Sequence, residues 1–296
     1  MKNKLKYYFM AIRPKTLTAG VSPVILGLSY SFYIHKSLSI FIAFLTIACT
    51  VLMQMGTNLV NDYFDFKKGV DNNRKSGPLR VTQEKLLSEK EVKWAYRICF
   101  ILAFIMGLYL MMVGGKLIII LGLTSLAMAY LYTGGPFPLA YYGLGELLAF
   151  LFFGPVAVFG TYYLQSNQYN LDAIILGTSP GFLSAALMAI NNLRDREDDL
   201  ISGKRTLANI FSLNTARFIP FICIILGSLI IPFYFVFKGL PFAVLVSLLP
   251  FLLFKQTWVD IFRFKLDSSL NIVLANIGKY MFIYAILLSI GMHLSL

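Results

Sequence analysis

Histidine, cysteine and acidic residues are scarce in this 296-residue chain, which holds two His, three Cys and 14 Asp or Glu against 26 Lys or Arg. Cys49, Cys99 and Cys223 each stand in an apolar stretch without CxxC spacing and without a histidine nearby, so they read as buried small hydrophobes. His35 and His293 fall at the ends of apolar runs and make no ligand set. No polar stretch is long enough for a soluble domain, so the net charge of +12 needs no nucleic acid to explain it. Basic loops facing an anionic leaflet account for that charge. The positive flank MKNKLKYYFMAIRPKTLTAG leads into an apolar run with no small-residue cleavage site, which predicts a retained first span.

What is abundant is apolar: 58% of residues are hydrophobic and mean hydropathy is +0.72. Runs of membrane-spanning length predict an all-α polytopic protein with about nine spans. They lie near residues 16–34, 38–61, 94–113, 117–133, 144–165, 171–193, 216–237, 240–255 and 273–295. The eighth is short and carries Pro241 and Pro250. With this count, 21 Lys and Arg fall on one side and three on the other, which predicts a cytoplasmic amino terminus and an external carboxyl terminus.

Half of the acids, Asp62, Asp65, Asp71, Asp195, Glu197, Asp198 and Asp199, crowd into two short stretches. Both read NxxxDxxD: Asn58, Asp62 and Asp65, then Asn191, Asp195 and Asp198. On a helix these steps return to one face, giving an oxygen-rich stripe in each case, with Asp199 widening the second. The stripes close spans two and six and therefore face the same, cytoplasmic, side. This predicts one domain of two similarly oriented halves, about 13–135 and 144–255, with a final helix at 273–295. Clustered carboxylates repel unless a cation lies between them, and an oxygen-only donor set suits magnesium. Lys67, Lys68, Arg74, Lys75 and Arg80 follow the first stripe, and Arg194, Arg196, Lys204 and Arg205 flank the second. Cations beside carboxylates stabilise an anion held between them, and a diphosphate bridged by metal ions fits.

Four stretches carry a family resemblance: RPKTLTAGVSPVILG from residue 13, NDYFDFKKGVD with GPLR following, YTGGPFPLAYYGLGE from residue 132, and NNLRD with GKRTLA. The chain resembles the UbiA superfamily of intramembrane prenyltransferases, within it most the branch acting on 1,4-dihydroxy-2-naphthoate in menaquinone synthesis. The resemblance implies nine helices around a central cavity, Mg2+ dependence, a polyprenyl diphosphate donor and an aromatic acceptor, all within the lipid bilayer. By motif it implies metal ligation by Asn58, Asn61, Asp62, Asp65, Asn191, Asp195 and Asp199, with Asp62, Asp65, Asp195 and Asp199 catalytic. The family's second motif is DxxxD, which favours Asp199 over Asp198. Lys68, Lys75, Arg80, Arg194 and Lys204 are expected on the diphosphate, and Asp71 near a lid. Arg74 and Lys75 are adjacent, and either meets the diphosphate.

Such a reaction separates an allylic cation from a diphosphate, and an apolar, aromatic bundle keeps water from the cation. Tyr63 lies within the first motif. Tyr132, where Gly and Pro residues break span four, is expected on the acceptor, as are Arg13 and Lys15 just before span one. Residues 62–93 are too polar for a simple turn and predict a lid, with Ser88 and Glu91 at capping-box spacing ahead of span three. The segment from Leu200 to Asn214 is its expected counterpart. Other acceptors of the superfamily, among them 4-hydroxybenzoate, homogentisate and haem B, stay open. The rival from another class is an ion-coupled transporter, whose site usually lies at the bilayer midplane.

Overall fold

The computed structural model describes residues 2–69 and 80–294, and every named element in them is helical. α1 (Lys2–Ala11) precedes α2 (Pro14–His35), which starts with Pro14 at its first position. There a missing N–H costs nothing. α3 (Ile40–Lys67) is capped by Ser39 and α4 (Glu89–Leu131) by Ser88. The Ser88 and Glu91 side chains form the expected reciprocal box.

α5 (Gly145–Ser166) and α6 (Leu171–Arg194) follow, then two short helices, α7 (Arg196–Ile201) and α8 (Leu207–Ile210). α9 (Leu213–Phe237), the bent pair α10 (Phe242–Leu253) and α11 (Lys255–Arg263), and α12 (Leu270–His293) complete the chain.

Seven of these helices are long and apolar enough to cross a membrane, or up to eight if the pair bent by 43° is one span. The protein is an integral membrane protein whose surface carries large apolar side chains such as Phe44, Met112, Ile120 and Leu253. How the expected nine runs compare with these helices turns on α4 and on the bent pair. Two of the expected runs merge into α4, whose 43 residues would extend about 65 Å if straight, twice the roughly 30 Å apolar core of a bilayer. The helix does not run straight. Gly115 adopts φ 60 and ψ −152, and the rings of Tyr96 and Tyr130, on opposite sides of it, pack at 6.4 Å. In a continuous helix they would stand roughly 50 Å apart. α4 is thus folded back on itself, and the left-handed backbone at the fold requires glycine.

The weak eighth run resolves into α10 and α11, with the Trp258 indole closing the break by donating to the Phe251 carbonyl at 2.8 Å. α11 buries Thr257, Trp258, Asp260 and Ile261 and exposes its other face.

Packing then brings the two halves of the chain together. α2 lies against α3, α5 and α12, while α6 lies against α5, α9 and α12. α5 and α6 approach to backbone contact: a Cβ on Gly154 would sit 2.6 Å from the Gly181 Cα, and one on Gly177 2.5 Å from the Pro155 Cα. Small residues allow such an approach where apolar burial gives no preference between lipid and protein. The main apolar core joins Leu26, Tyr162, Leu183, Ile190, Ile231, Tyr280 and Tyr284. It holds the end of α6, while a second cluster of Leu59, Val60, Tyr63, Val81, Leu87 and Tyr96 holds the end of α3.

Candidate active site

The first stripe occupies the last three turns of α3, which runs on to Lys67, past the expected end of the apolar run. Asn58 and Asp62 are buried, at 5% and 2% exposure. The Asn58 amide donates to the Ile12 carbonyl at 2.8 Å and to the Thr16 hydroxyl at 2.9 Å, which ties α3 to the α1–α2 junction. Asn61, on the adjacent flank, accepts from the Thr133 hydroxyl. Asp62 Oδ2 accepts the Val81 N–H at 3.2 Å, whereas its Oδ1 meets no hydrogen-bond donor among the described residues. Arg80 Nη2 donates to Asp65 Oδ2 at 2.9 Å. The chain at Arg80–Thr82 therefore packs on the stripe, with Arg80, Val81 and Thr82 all buried. Asp71, Arg74 and Lys75 lie outside the described residues.

The second stripe is built differently. α6 ends at Arg194, Asp195 takes φ −92 and ψ 9, and α7 starts at Arg196. Across that break the Asp199 N–H donates to the Asp195 carbonyl at 2.8 Å, so the four-residue step is kept. Asp199 follows Asp195 inward, at 3% and 4% exposure, while Asp198 is only half-buried. Arg194 is itself buried and grips the stripe: Nε and Nη2 donate to Asp195 at 2.8 and 2.7 Å, and Nη2 also donates to Asn191 Oδ1 at 2.8 Å. Its remaining arm, Nη1, donates to Asn271 Oδ1 on α12 at 2.8 Å. Arg194 was expected on diphosphate, and here it holds the two oxygen donors beside it.

A third segment, between α4 and α5, joins the two. Lys68 Nζ donates to the Thr133 carbonyl at 2.9 Å and lies 5.0 Å from the centre of the Tyr141 ring. On its other side the segment pairs with the loop after α7, the Gly143 N–H donating to the Arg205 carbonyl at 2.9 Å and the Arg205 N–H to the Tyr141 carbonyl at 3.3 Å. Tyr132 caps the end of α4, as the Gly and Pro residues after it predict, and its hydroxyl donates to Met188 Sδ at 3.2 Å.

Electrostatics show that the stripes share one space. Lys204 Nζ lies 3.3 Å from Asp199 Oδ1. Burial pulls its pKa down, yet Asp199, Tyr132, Asp65 and Asp195 together hold it above the usual lysine value. One ammonium thus feels Asp65 of the first stripe and both aspartates of the second. Tyr132 reports the same chamber: burial, opposed by Lys204 and reinforced by Glu146, Asp199 and Asp65, pushes its hydroxyl up to about 12. Lys68 is lowered by burial, with Asp65 raising it and Lys204 lowering it further. Arg13, in a left-handed conformation with φ 51, lies close enough to act on Asp62. Lys15 lies in the first turn of α2, and its side chain is outside the described residues.

Asp62, Asp65, Asp195 and Asp199 therefore face Arg13, Arg80, Arg194 and Lys204. Among the described residues no three carboxylates, histidines or cysteines converge closely enough to cage a metal. Magnesium does not need such a cage, since it keeps waters and is usually held by one or two carboxylates plus substrate phosphate. The buried, undonated Oδ1 of Asp62 and an all-oxygen donor set fit that mode.

Several residues in this site were not anticipated. Asn271 is marked only as a polar residue at the head of an apolar helix. Asn192 looked like a neighbour of the motif, Glu146 like the start of a span, and Thr16 and Thr133 carried no signal of their own.

Comparison with known proteins agrees with the geometry. The model for the UbiA prenyltransferase family matches residues 20–287. The chain is similar to a 1,4-dihydroxy-2-naphthoate octaprenyltransferase of Haemophilus influenzae, 30% identical over 99% of this chain and 97% of that one. It is also similar to one of Escherichia coli, 33% identical over 77% and 75% of the respective chains. Among solved structures, a UbiA homolog from Archaeoglobus fulgidus bound to GPP and Mg2+ superposes with a TM-score of 0.70 at 15% identity, covering 97% of this chain and 100% of that one. With Lys204 paired to Asp199 and acted on by Asp65 and Asp195 inside a membrane bundle, and a family match spanning nearly the whole chain, this protein belongs to the UbiA prenyltransferase family.

Proposed function

We propose that this protein transfers a polyprenyl group from polyprenyl diphosphate to 1,4-dihydroxy-2-naphthoate, giving demethylmenaquinol in menaquinone synthesis. The observation that carries the reading is Lys204, acted on by Asp65 of one stripe and Asp195 and Asp199 of the other. A diphosphate seated there has Lys204, Lys68 and Arg80 for its oxygens. The acceptor follows from the relatives, several of which bear the name 1,4-dihydroxy-2-naphthoate octaprenyltransferase.

Asp62, Asp65, Asp195 and Asp199, with Asn58, Asn61 and Asn191, would hold Mg2+ between protein and diphosphate. When bound, the ion supplies Lewis-acid stabilisation of charge growing on the leaving oxygen. The chain's own part is to keep the carboxylates ionised beside Arg13, Arg80 and Arg194, to fix the diphosphate, and to exclude water from the allylic carbon. Tyr63, buried against Phe64 and Tyr96, supplies aromatic faces near the first stripe. Loss of the acceptor's carboxylate as carbon dioxide restores aromaticity, so no strong protein base is required. In a bacterial inner membrane, the site would open to the cytoplasm, with the amino terminus inside and the carboxyl terminus outside.

Membranes holding the protein, given Mg2+, farnesyl diphosphate and either dihydroxynaphthoate or 4-hydroxybenzoate, test this by product mass. A prenylated, decarboxylated naphthalenediol is expected. Product from 4-hydroxybenzoate alone overturns the acceptor, and product from neither overturns aromatic prenylation by this chain.

A further inference from the structure

Glu146 stands one residue into α5, buried at 6% exposure, and Asn192 faces it from α6 at 2%. The Asn192 amide donates to Glu146 Oε1 at 2.9 Å. Because a carboxylate only accepts, the amide nitrogen must be the atom turned toward it, and the Asn192 carbonyl oxygen points elsewhere. Neither that oxygen nor Glu146 Oε2 meets a donor among the described residues. Two buried acceptor atoms side by side without donors are costly, and they persist where a ligand completes them.

Their position says which ligand. Glu146 acts electrostatically on Tyr132 and on Lys204, the ammonium shared by the two acidic stripes. A Cβ on the neighbouring Gly145 would lie 2.9 Å from the Tyr132 hydroxyl oxygen and 3.6 Å from Asn192 Nδ2, so these groups share one wall. A diphosphate offers only acceptor oxygens and is repelled by a carboxylate. A prenyl tail offers nothing polar. An aromatic acceptor carries ring hydroxyls, which are donors, and it must lie beside the diphosphate to meet the allylic carbon.

We infer that Glu146 and Asn192 form the acceptor-recognition pair of this enzyme, taking the hydrogen bond of a ring hydroxyl on the aromatic substrate. The inference rests on the aromatic-prenyl-transfer reading above and adds the residues that select the acceptor. A hydroxyl donating to a carboxylate also pushes electron density into the ring, which favours attack by ring carbon. The pair positions and polarises the acceptor, and no proton need leave it.

The test uses hydroxynaphthoate and its methyl ether as inhibitors competing with the acceptor, because the ether cannot donate. Wild-type enzyme is measured first with dihydroxynaphthoate and farnesyl diphosphate. Absence of turnover there strikes the functional reading itself, before any variant is made. With active wild type, the hydroxyl form is expected to inhibit more tightly than the ether, and Glu146→Ala to shrink that preference by about tenfold, the scale of a hydrogen bond to a charged group. Glu146→Gln keeps an acceptor oxygen without the charge, so it should retain part of the preference and stands in if the alanine variant does not fold. KM for farnesyl diphosphate should stay within about twofold in both. An unchanged preference, or a loss that falls on the diphosphate substrate, overturns the inference.

Discussion

Arg194 Nη1 donates to Asn271 Oδ1 at 2.8 Å, which ties the second acidic stripe to α12, the last helix of the chain. The remaining donors of the same guanidinium hold Asn191 and Asp195. Asn271 thus sets the angle at which Arg194 presents those two residues. Asn271→Ala is expected to lower kcat/KM for the diphosphate substrate by about tenfold or more, the weight of one hydrogen bond to a charged group. Steady-state kinetics on the purified variant read this directly. Activity within twofold of wild type would show that Arg194 needs no anchor.

The Arg80–Asp65 pair ties the chain ahead of α4 to the first stripe at 2.9 Å, with side chains 8% and 16% exposed. Removing Arg80 takes one hydrogen-bonded cation from Asp65 where water is scarce, and a charge from the diphosphate's surroundings. Arg80→Ala is expected to raise KM for the prenyl diphosphate about tenfold, with Arg80→Lys intermediate because an ammonium lacks the planar fork. Titration of the donor substrate at saturating acceptor separates this from a loss in kcat, and an unchanged KM removes Arg80 from donor binding.

Much of this site was legible because its signals are local. The repeated spacing of Asn58, Asp62 and Asp65 with Asn191, Asp195 and Asp198 marked two stripes, and the Gly and Pro residues after Tyr132 marked the end of a helix. The rest depended on the path of the chain. Nothing near Asn271 in sequence says that α12 lies against α6, and nothing near Glu146 says that its partner is Asn192. Asp198 and Asp199 stand three and four residues from Asp195, so spacing alone puts both near its face, and only the packing of α7 decides that Asp199 is buried and Asp198 is not. The fold-back at Gly115 was legible as two apolar runs parted by Gly114, Gly115 and Lys116.

Close packing of α5 on α6 gives a prediction about stability. A Cβ at Gly177 would lie 2.5 Å from the Cα and 2.6 Å from the N of Pro155, both backbone atoms that cannot turn aside. Gly177→Ala must therefore separate the two helices, at a cost of about 1–3 kcal/mol for overpacking. A lower melting temperature in detergent is expected, and because Glu146 and Asn192 lie on these same helices, weaker acceptor binding as well. Wild-type melting would mean that the helices can part without loss.

Asp198 and Asp199 are adjacent acids with different surroundings, which makes them a matched test of the site. Asp199 is 3% exposed, lies 3.3 Å from Lys204 and acts on Tyr132, whereas Asp198 is half-buried one step round the helix. Asp199→Ala takes from the Lys204 ammonium its paired carboxylate and removes one proposed ion ligand, so turnover should fall by at least about a hundredfold, as for an electrostatic stabiliser of developing charge. Asp62→Ala and Asp195→Ala should abolish turnover with the protein still inserted. Asp198→Ala should cost less than about fivefold. Magnesium titration of the two neighbouring variants tells ligation from charge alone: if Asp199 helps hold the ion, its alanine variant needs more Mg2+ for half-maximal rate, while the Asp198 variant follows the wild-type curve. Equal Mg2+ curves for both variants would remove Asp199 from the ion's ligands, and a greater loss from Asp198 would return the site to the DxxD register.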